Sequence, residues 1–223
     1  MLKARAALLF DIDGTMADTD ACHLQAFNQV FQPFGHTFDR QRFTAELQGF
    51  AMDDIERRFL GQFGQARRTE IMAEKERVFR DLARTHIHAV AGLIELLDRA
   101  RERGVRLAAV TNAPRVNAEM ILAQLEIADR FQALVIGDEL AHGKPHPLPY
   151  LTGLSALGAD AACSLAFEDS RAGIASAVAA NLATAGLMTS LTVEQITAAG
   201  AVTAIADFRD PRLADLMRDR MGF

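Results

Sequence analysis

Polar side chains with different chemistries follow four apolar segments of this chain. The set consists of Asp11, Asp13 and Thr15, with Gly14 among them, after the first segment, Thr111 and Asn112 after the second, Lys144 beyond the third, and Glu168 and Asp169 after the fourth. The carboxyl ends of parallel strands meet at one edge of a sheet, so strands in these four segments would gather the set there. The sequence therefore predicts a site that combines several carboxylates with a hydroxyl group and an ammonium group.

Carboxylates that converge on one point repel each other unless a cation is present. Hard oxygen ligands with open coordination positions suit Mg²⁺, which keeps several waters and binds substrate phosphates. Asp11 and Asp13 are two residues apart on an extended segment. One side chain and one main-chain carbonyl can then approach the metal, which leaves the Asp13 side chain for proton transfer. A carboxylate beside Mg²⁺ can attack phosphorus, while Thr111 and Lys144 stabilise charge on the transferring phosphoryl group.

The elements that must position these residues alternate along most of the chain. Strands are predicted at 6–10, 105–111, 131–137, 163–169 and 182–188, with a weaker one at 201–206. Helical patterns are predicted at 93–100, 117–125, 147–157 and 170–180, and a capping box of Thr192 with Gln195 starts another helix. This alternation predicts an α/β fold with a doubly wound, Rossmann-like parallel sheet.

One region of the chain breaks the alternation. Between residues 17 and 88 there is no convincing strand, and helices are predicted at about 18–33, 39–48, 52–63 and 66–86. The core of this module is expected to contain Phe27, Val30, Phe31, Phe34 and Phe38. We therefore predict an α/β core domain of residues 1–16 and 89–223, with an inserted α-helical domain of residues 17–88.

The four groups of polar residues resemble, in their order along the chain, the motifs of the haloacid dehalogenase-like (HAD) phosphohydrolase superfamily. The matching segments are Asp11-Ile12-Asp13-Gly14-Thr15, Thr111-Asn112, Lys144-Pro145 and Glu168-Asp169-Ser170. The helical insertion, Asp18-Thr19 with His23, and the segment 168–174 are similar to the subgroup that contains β-phosphoglucomutase and phosphoglycolate phosphatase. The resemblance covers nearly the whole chain and implies that the insertion is a cap domain.

The resemblance implies a phosphatase mechanism. Asp11 would attack phosphorus and form an aspartyl-phosphate, and Asp13 would protonate the leaving oxygen and then activate water. Thr111 and Lys144 would hold the phosphoryl oxygens. The expected cofactor is Mg²⁺.

The resemblance also implies the residues that bind metal and substrate. The expected metal ligands are Asp11, Asp13, Glu168 and Asp169. The expected phosphate- and substrate-binding residues are Gly14, Thr15, Asn112, His23 and Met52. His23 lies where the subgroup has a hinge or cap-facing histidine. Lys75 matches a lysine often found in the last cap helix, but we expect a solvated helix residue there.

The substrate is expected to be a small phosphorylated metabolite. The resemblance implies that a dehalogenase of this family would lack the second aspartate. The presence of Asp13 therefore argues against a dehalogenase. The chain has three lysines, Lys3, Lys75 and Lys144, so the early cap lysine of a phosphonate hydrolase is missing. Met52 lies where β-phosphoglucomutase has an arginine that grips the distal phosphate of the sugar. Thr15 also differs from the mutase, which tends to have an apolar β-branched residue at this position. Both differences favour hydrolysis of a phosphate monoester over a phosphomutase reaction.

Two alternatives remain open at this stage. One is a β-phosphoglucomutase-like sugar phosphomutase, because Arg57 and Arg58 can replace the arginine missing at Met52. The other is a phospho-receiver switch, a non-enzymatic module that keeps the phosphoryl group on its aspartate. A receiver has about half this length, and a helical insertion after its first strand would be foreign to it.

The composition narrows the classes of partner. The formal net charge is −5 and basic residues form no block, so a dedicated nucleic-acid binder is not expected. No apolar segment approaches the roughly 20 residues that span a bilayer. Cys22 and Cys163 are far apart and are expected to be free thiols. We expect a cytoplasmic monomer.

Overall fold

A single parallel sheet organises most of the chain. The computed structural model describes residues 5–48, 50 and 52–222. Within them the strands are β1 (Ala7–Phe10), β2 (Arg106–Thr111), β3 (Ala133–Ile136), β4 (Leu165–Glu168), β5 (Ala183–Leu187) and β6 (Thr203–Ile205). All pairs are parallel and the order is β3-β2-β1-β4-β5-β6. The predicted strands are confirmed, each with shorter ends.

Helices fill the rest of the chain between short connections. The first group comprises α1 (Asp20–Phe31), α2 (Arg40–Glu46), α3 (Met52–Leu60) and α4 (Gln65–His86). The second group comprises α5 (Leu93–Glu102), α6 (Arg115–Gln124), α7 (Leu148–Leu157), α8 (Arg171–Ala179), α9 (Val193–Ala198) and α10 (Pro211–Met221). None of the described helices is both long enough and apolar enough to cross a membrane. The predicted α/β fold with a parallel sheet is confirmed.

The order of the strands reverses beside β1, and this reversal creates the crevice that open α/β sheets use for ligands. Every residue of β1 and β4 is buried, which explains why both strands are continuous apolar segments. In the register of these two strands, Phe10 lies opposite Phe167. The next residues along each strand, Asp11 and Glu168, therefore begin on the same edge of the sheet.

Local sequence signals fix several helix ends. Thr192 and Gln195 form the predicted capping box at the start of α9. Asn181 has φ 61°, the left-handed conformation expected after α8. The sequence interpretation missed α10, although its signals are present. The Asp210 side chain caps its first turn, Pro211 is its first residue, and Gly222 ends it with φ 69°.

The chain divides into two compact units, one of Met1–Asp18 with His88–Phe223 and the other of Thr19–Ile87. The first contains the sheet and the second contains α1 to α4. The hydrophobic core of the helical unit includes Phe27, Phe31 and Phe38, with Val30 and Phe34 packed against it, as predicted.

Lys75 corrects one expectation about the helical unit. It is not a solvated helix residue, because it is 1% exposed. Its Nζ lies 2.9 Å from Nδ1 of His23, 2.8 Å from Oε1 of Glu76 and 4.4 Å from the centre of the Phe27 ring. These partners replace the water that the ammonium group of a buried lysine loses.

Candidate active site at the carboxyl edge of the sheet

Three buried carboxylates converge where β1 and β4 end. Asp11 follows β1, Glu168 ends β4, and Asp169 comes next along the chain. One carboxylate oxygen from each lies within 4.8 Å of the others. The neighbouring strands bring them together, and the Asp11 amide donates to the carbonyl of Phe167 at 3.0 Å. Among the described residues, this is the group of His, Cys, Asp and Glu side chains close enough to hold a metal.

The ammonium group of Lys144 lies inside this acidic cluster. Its Nζ donates to Oδ1 of Asp11 at 2.6 Å, to Oε1 of Glu168 at 2.6 Å and to the carbonyl of Val110 at 2.7 Å. These three bonds use all three donors of the ammonium group. Lys144 therefore links the end of β2 to both carboxylates and sets their separation.

The electrostatics of the cluster are strained in the absence of another cation. Burial raises the pKa of Asp11 to about 8, the charges of Glu168 and Asp13 add to the rise, and Lys144 opposes it. Burial alone would lower the pKa of Lys144, but the charges of Asp11 and Glu168 raise it above its usual value. One ammonium group thus compensates only part of the negative charge gathered here.

The loop that carries Lys144 is held by the side chain of Asn112. Nδ2 of Asn112 donates to the Lys144 carbonyl at 3.0 Å, and Oδ1 accepts from the Lys144 amide at 2.9 Å. A Cβ at Gly137 would lie 2.1 Å from Oδ1 of Asn112, and one at Gly143 would lie 2.9 Å away. The Asn112 side chain positions the lysine loop, and glycine is needed around it. Its expected role as a donor to phosphate stays a prediction.

Thr111 is the last residue of β2 and is buried. Its Oγ1 accepts a hydrogen bond from the Ala113 amide at 2.9 Å. A hydroxyl group that accepts in this way keeps its own hydrogen for another acceptor. The Thr111 hydroxyl therefore has its hydrogen available for another acceptor at the carboxyl end of β2.

The turn after β1 contains Asp13, Gly14 and Thr15. Asp13 is half-buried and Thr15 is buried, with no hydrogen-bond partner for its Oγ1 in the structure. Gly14 has φ +75°, and a Cβ there would lie 2.1 Å from Oδ2 of Asp169. Only glycine lets the main chain turn this close to the carboxylate.

Side chains that the sequence interpretation missed surround the two acidic residues after β4. The hydroxyl of Tyr150 donates to Oε1 of Glu168 at 2.8 Å. The hydroxyl of Ser190, which follows β5, lies 2.5 Å from Oδ2 of Asp169. The signal for Tyr150 was its position: it is an aromatic residue with a polar tip in a largely apolar helix just after the Gly-Lys-Pro motif. No pattern in the sequence pointed to Ser190.

Two predicted substrate residues lie in the helical unit. His23 is in α1, where its ring stacks on that of Phe79 with the centres 3.8 Å apart. Met52 is the first residue of α3, and its partly buried side chain packs against the core of that unit. Gly49 and Ala51, which precede Met52 in the sequence, lie outside the described residues.

The donor set of the cluster fits a hard divalent cation. Three buried carboxylates supply oxygen ligands, and the single lysine among them leaves negative charge uncompensated. The raised pKa of Asp11 points the same way, because a bound cation would restore its ionised form. We conclude that the residues present suit a divalent metal.

Comparison with curated proteins gives relatives with two kinds of activity in their names. The chain is 36% identical over 218 residues to protein CbbY of Rhodobacter capsulatus, covering 93% of each chain. It is 31% identical to validoxylamine A 7′-phosphate phosphatase of Streptomyces hygroscopicus, covering 84% of this chain and 88% of the relative. It is 28% identical to β-phosphoglucomutase of Bacillus subtilis, covering 81% and 82% respectively.

A solved structure and a family model agree with these relatives. The structure is an Asp-to-Asn mutant of CbbY from Rhodobacter sphaeroides in complex with xylulose-1,5-bisphosphate. It is 27% identical with a TM-score of 0.81, covering 94% of this chain and 96% of that one. The model of haloacid dehalogenase-like hydrolases matches residues 8–187, which include every motif residue of the cluster. The resemblance inferred from the motifs is confirmed: the chain belongs to the haloacid dehalogenase-like hydrolase family.

Proposed function

We propose that this hydrolase is an Mg²⁺-dependent phosphatase of a small phosphorylated metabolite and that it acts through an aspartyl-phosphate. The observation that carries the proposal is the buried carboxylate of Asp11, held by Lys144 beside Glu168 and Asp169. A second carboxylate, Asp13, follows two residues later on the same turn. A nucleophile and a separate proton carrier are what hydrolysis of a phosphate ester requires.

Asp11 and Asp13 divide the reaction between them. A carboxylate oxygen of Asp11 forms a bond to phosphorus as the bond from phosphorus to the ester oxygen breaks. Asp13 gives its proton to the departing oxygen, so the first product leaves as an alcohol. Asp13 then takes a proton from water, the water oxygen bonds to phosphorus, and Asp11 is released together with inorganic phosphate.

Lys144 and Thr111 support these steps from β2 and its neighbouring loop. The Lys144 ammonium group holds Oδ1 of Asp11, which fixes the direction of the attacking carboxylate. Thr111 directs a hydroxyl donor toward the charge that develops on the phosphoryl oxygens. Asp11, Glu168, Asp169 and the main chain at Asp13 would hold Mg²⁺, which supplies positive charge to the phosphoryl group.

The substrate class follows from the relatives and from one residue of the helical unit. One relative is named as a phosphatase of validoxylamine A 7′-phosphate, and the CbbY structure is a complex with xylulose-1,5-bisphosphate, which supports a sugar phosphate or a similar small ester as the substrate. We propose that substrate choice lies in the segment 48–55 of the cap, residues 17–88. Met52 there brings no charge to grip a second phosphate, which favours hydrolysis over the mutase reaction.

A panel of phosphorylated metabolites, including phosphoglycolate and sugar phosphates, tests the proposal through phosphate release in Mg²⁺ and in EDTA. We expect release that requires Mg²⁺ and that the Asp11→Asn variant lacks. The mutase remains the second candidate because a relative carries that name. Efficient conversion of β-glucose 1-phosphate to glucose 6-phosphate, with a bisphosphate activator and little phosphate release, would establish it instead. A phosphorylated Asp11 that persists for minutes would indicate a receiver.

We also infer a cytoplasmic monomer. Cys22 and Cys163 are both buried and form no disulfide, which is compatible with a reducing compartment. Light scattering coupled to size-exclusion chromatography is expected to give the mass of one chain. A stable dimer would contradict the inference.

A further inference from the structure

Tyr150 is a buried polar group that the proposed chemistry does not use. It lies in α7, which begins four residues after Lys144, and its side chain is fully buried. It is the only tyrosine of the chain, which has no tryptophan. Its hydroxyl donates to Oε1 of Glu168 at 2.8 Å, and its ring lies 5.2 Å from Nζ of Lys144. The sole tyrosine therefore bonds to Glu168 and lies beside Lys144, the ammonium partner of Asp11.

Glu168 is held on both of its oxygens, and Tyr150 supplies one of the donors. Oε1 accepts from Nζ of Lys144 and from the Tyr150 hydroxyl. Oε2 accepts from the Asp169 amide at 3.2 Å and from the amide and hydroxyl of Ser170 at 3.4 and 3.2 Å. The residue is 0% exposed, so water does not replace a lost donor.

Space around Glu168 is also restricted. A Cβ at Gly173 would lie 1.9 Å from its carboxylate carbon. The first turn of α8 therefore closes one side of the carboxylate, and Tyr150 occupies another. The carboxylate has a single well-defined position, and Lys144 takes its own position between that carboxylate and Asp11.

We propose that Tyr150 is a positioning residue whose hydroxyl group holds Glu168 in place, and through Glu168 sets both the Mg²⁺ affinity of the cluster and the placement of Lys144 on Asp11. This inference rests on the proposed phosphatase function. It goes further by assigning a role to a residue outside the four motifs. The opposing explanation is that Glu168 merely satisfies a buried hydroxyl, as buried tyrosines commonly require.

The Tyr150→Phe variant separates the two explanations because it keeps the ring and removes only the hydroxyl. Loss of a hydrogen bond to a metal-site carboxylate costs roughly tenfold or more in metal affinity or activity. We expect Mg²⁺ binding, measured by calorimetry without substrate, to weaken about tenfold, and kcat to fall by about as much, while KM for the ester stays within about twofold.

A matched control is available elsewhere in the same unit. Ser164 is also 0% exposed, and its hydroxyl bonds to the Ala7 amide and the Asp160 carbonyl, at the other end of the strands. Ser164→Ala removes a buried hydroxyl of similar kind. It is expected to lower the thermal midpoint while Mg²⁺ affinity stays unchanged. If Tyr150→Phe behaves like this control, the proposal is overturned.

The wild-type protein offers a second measurement that needs no variant. Because tryptophan is absent and phenylalanine absorbs only at shorter wavelengths, the tyrosine absorbance band and tyrosine fluorescence report on Tyr150 alone. Both signals depend on whether the hydroxyl donates to a carboxylate. We expect titration with Mg²⁺ alone to change them saturably, with the midpoint found by calorimetry, and Glu168→Gln to abolish the change. A tyrosine signal that ignores bound Mg²⁺ would overturn the proposal even if Tyr150→Phe failed to fold.

The two proposals fail in different ways. If no ester releases phosphate but Mg²⁺ still shifts the tyrosine signal, the phosphatase function is wrong and the positioning role stands. If the enzyme hydrolyses esters while Tyr150→Phe retains the wild-type Mg²⁺ affinity and kcat, the function stands and the positioning role is wrong.

Discussion

Among the residues that the structure describes, each of the two units buries one lysine, and the two lysines have different surroundings. Lys75 in the helical unit is 1% exposed and pairs with the Glu76 carboxylate, beside His23 and two phenylalanine rings. Lys144 in the α/β unit has a side chain that is 4% exposed, and it pairs with Asp11 and Glu168, with Asp169 next to them. Burial is nearly equal, so the difference lies in the charge around each ammonium group.

The two sites differ in their balance of charge: the charges around Lys75 are matched, whereas negative charge exceeds positive charge around Lys144. At Lys75 one ammonium group meets one carboxylate, and rings complete the shell through cation–π contact at 4.4 and 5.6 Å. At Lys144 one ammonium group meets a cluster of three carboxylates, and the pKa of Asp11 is raised to about 8. Excess charge of one sign in a buried site is costly for folding. It is characteristic of sites that bind a cation and carry out chemistry.

The largest expected effect comes from replacing the carboxylate at the centre of the charged cluster. Asp11→Asn removes the proposed nucleophile while it keeps the shape of the side chain. Phosphate release is expected to fall by roughly a thousandfold or more. The thermal midpoint in EDTA at neutral pH is expected to stay nearly unchanged, because the raised pKa of Asp11, about 8, leaves its carboxyl largely protonated and as neutral as the amide. A phosphate-release assay and thermal unfolding check the two parts.

The control for this variant is Asp210→Asn. Asp210 caps α10 and pairs with Arg212. Its replacement is expected to lower stability without removing activity. If the Asp11→Asn protein still hydrolysed the ester at the wild-type rate, the carboxylate cluster around Lys144 would not be the catalytic site.

The two lysines themselves give the next largest effect. Lys144→Met leaves buried carboxylates without their ammonium partner and is expected to destabilise the metal-free protein by about 3 kcal/mol. Mg²⁺ binds the folded state, so at a hundredfold excess over its Kd it is expected to return up to about 2.7 kcal/mol. Chemical denaturation in EDTA and in Mg²⁺ measures both values. No recovery with Mg²⁺ would contradict a cation site at the cluster.

Lys75→Met is the matched change in the helical unit. It leaves Glu76 buried without its ammonium partner, so a loss of about 3 kcal/mol is expected there too. Mg²⁺ is expected to add the same stability to this variant as to the wild type, and calorimetric Mg²⁺ affinity should stay within about twofold. If Mg²⁺ stabilised Lys75→Met more than it stabilised the wild type, the site around Lys75 would also bind the cation, and the two lysine sites would not differ as described.

The same contrast explains how far the sequence could be interpreted. Lys144 stands in a Gly-Lys-Pro segment between a strand and a helix, and the order of strands in a parallel sheet brings such segments to one edge. Lys75 stands in a 22-residue helix with mixed charges, where no local pattern tells an inward lysine from an outward one. Its burial depends on packing against α1, and that packing is a property of the folded unit.

Tyr150 and Ser190 illustrate the same limit inside the site. The motif residues follow strands directly, so the topology predicts their meeting. Tyr150 reaches Glu168 from the interior of α7, and Ser190 reaches Asp169 from the loop after β5. Both contacts depend on the angle of a helix or the path of a loop over the sheet, and sequence periodicity does not encode either. Helix α10 is different: its cap, its proline and its terminal glycine were visible in the sequence.

The smallest effect on Mg²⁺ affinity is expected from replacing Ser190. This replacement tests whether an uncharged side chain also contributes to the carboxylate cluster around Lys144. Its hydroxyl lies 2.5 Å from Oδ2 of Asp169, and Thr189 beside it donates to the carbonyl of Gly14 at 2.6 Å. Ser190→Ala removes one neutral donor from a carboxylate that is 4% exposed. Mg²⁺ affinity is expected to weaken about threefold to tenfold, because a carboxylate with fewer donors is held less firmly.

The control for this variant is Thr192→Ala, which removes the helix cap two residues later. It should lower the free energy of unfolding by about 1 kcal/mol and leave Mg²⁺ affinity intact. If both variants changed Mg²⁺ affinity equally, the effect would come from the loop as a whole. The hydrogen bond between Ser190 and Asp169 would then not be what supports Mg²⁺ binding.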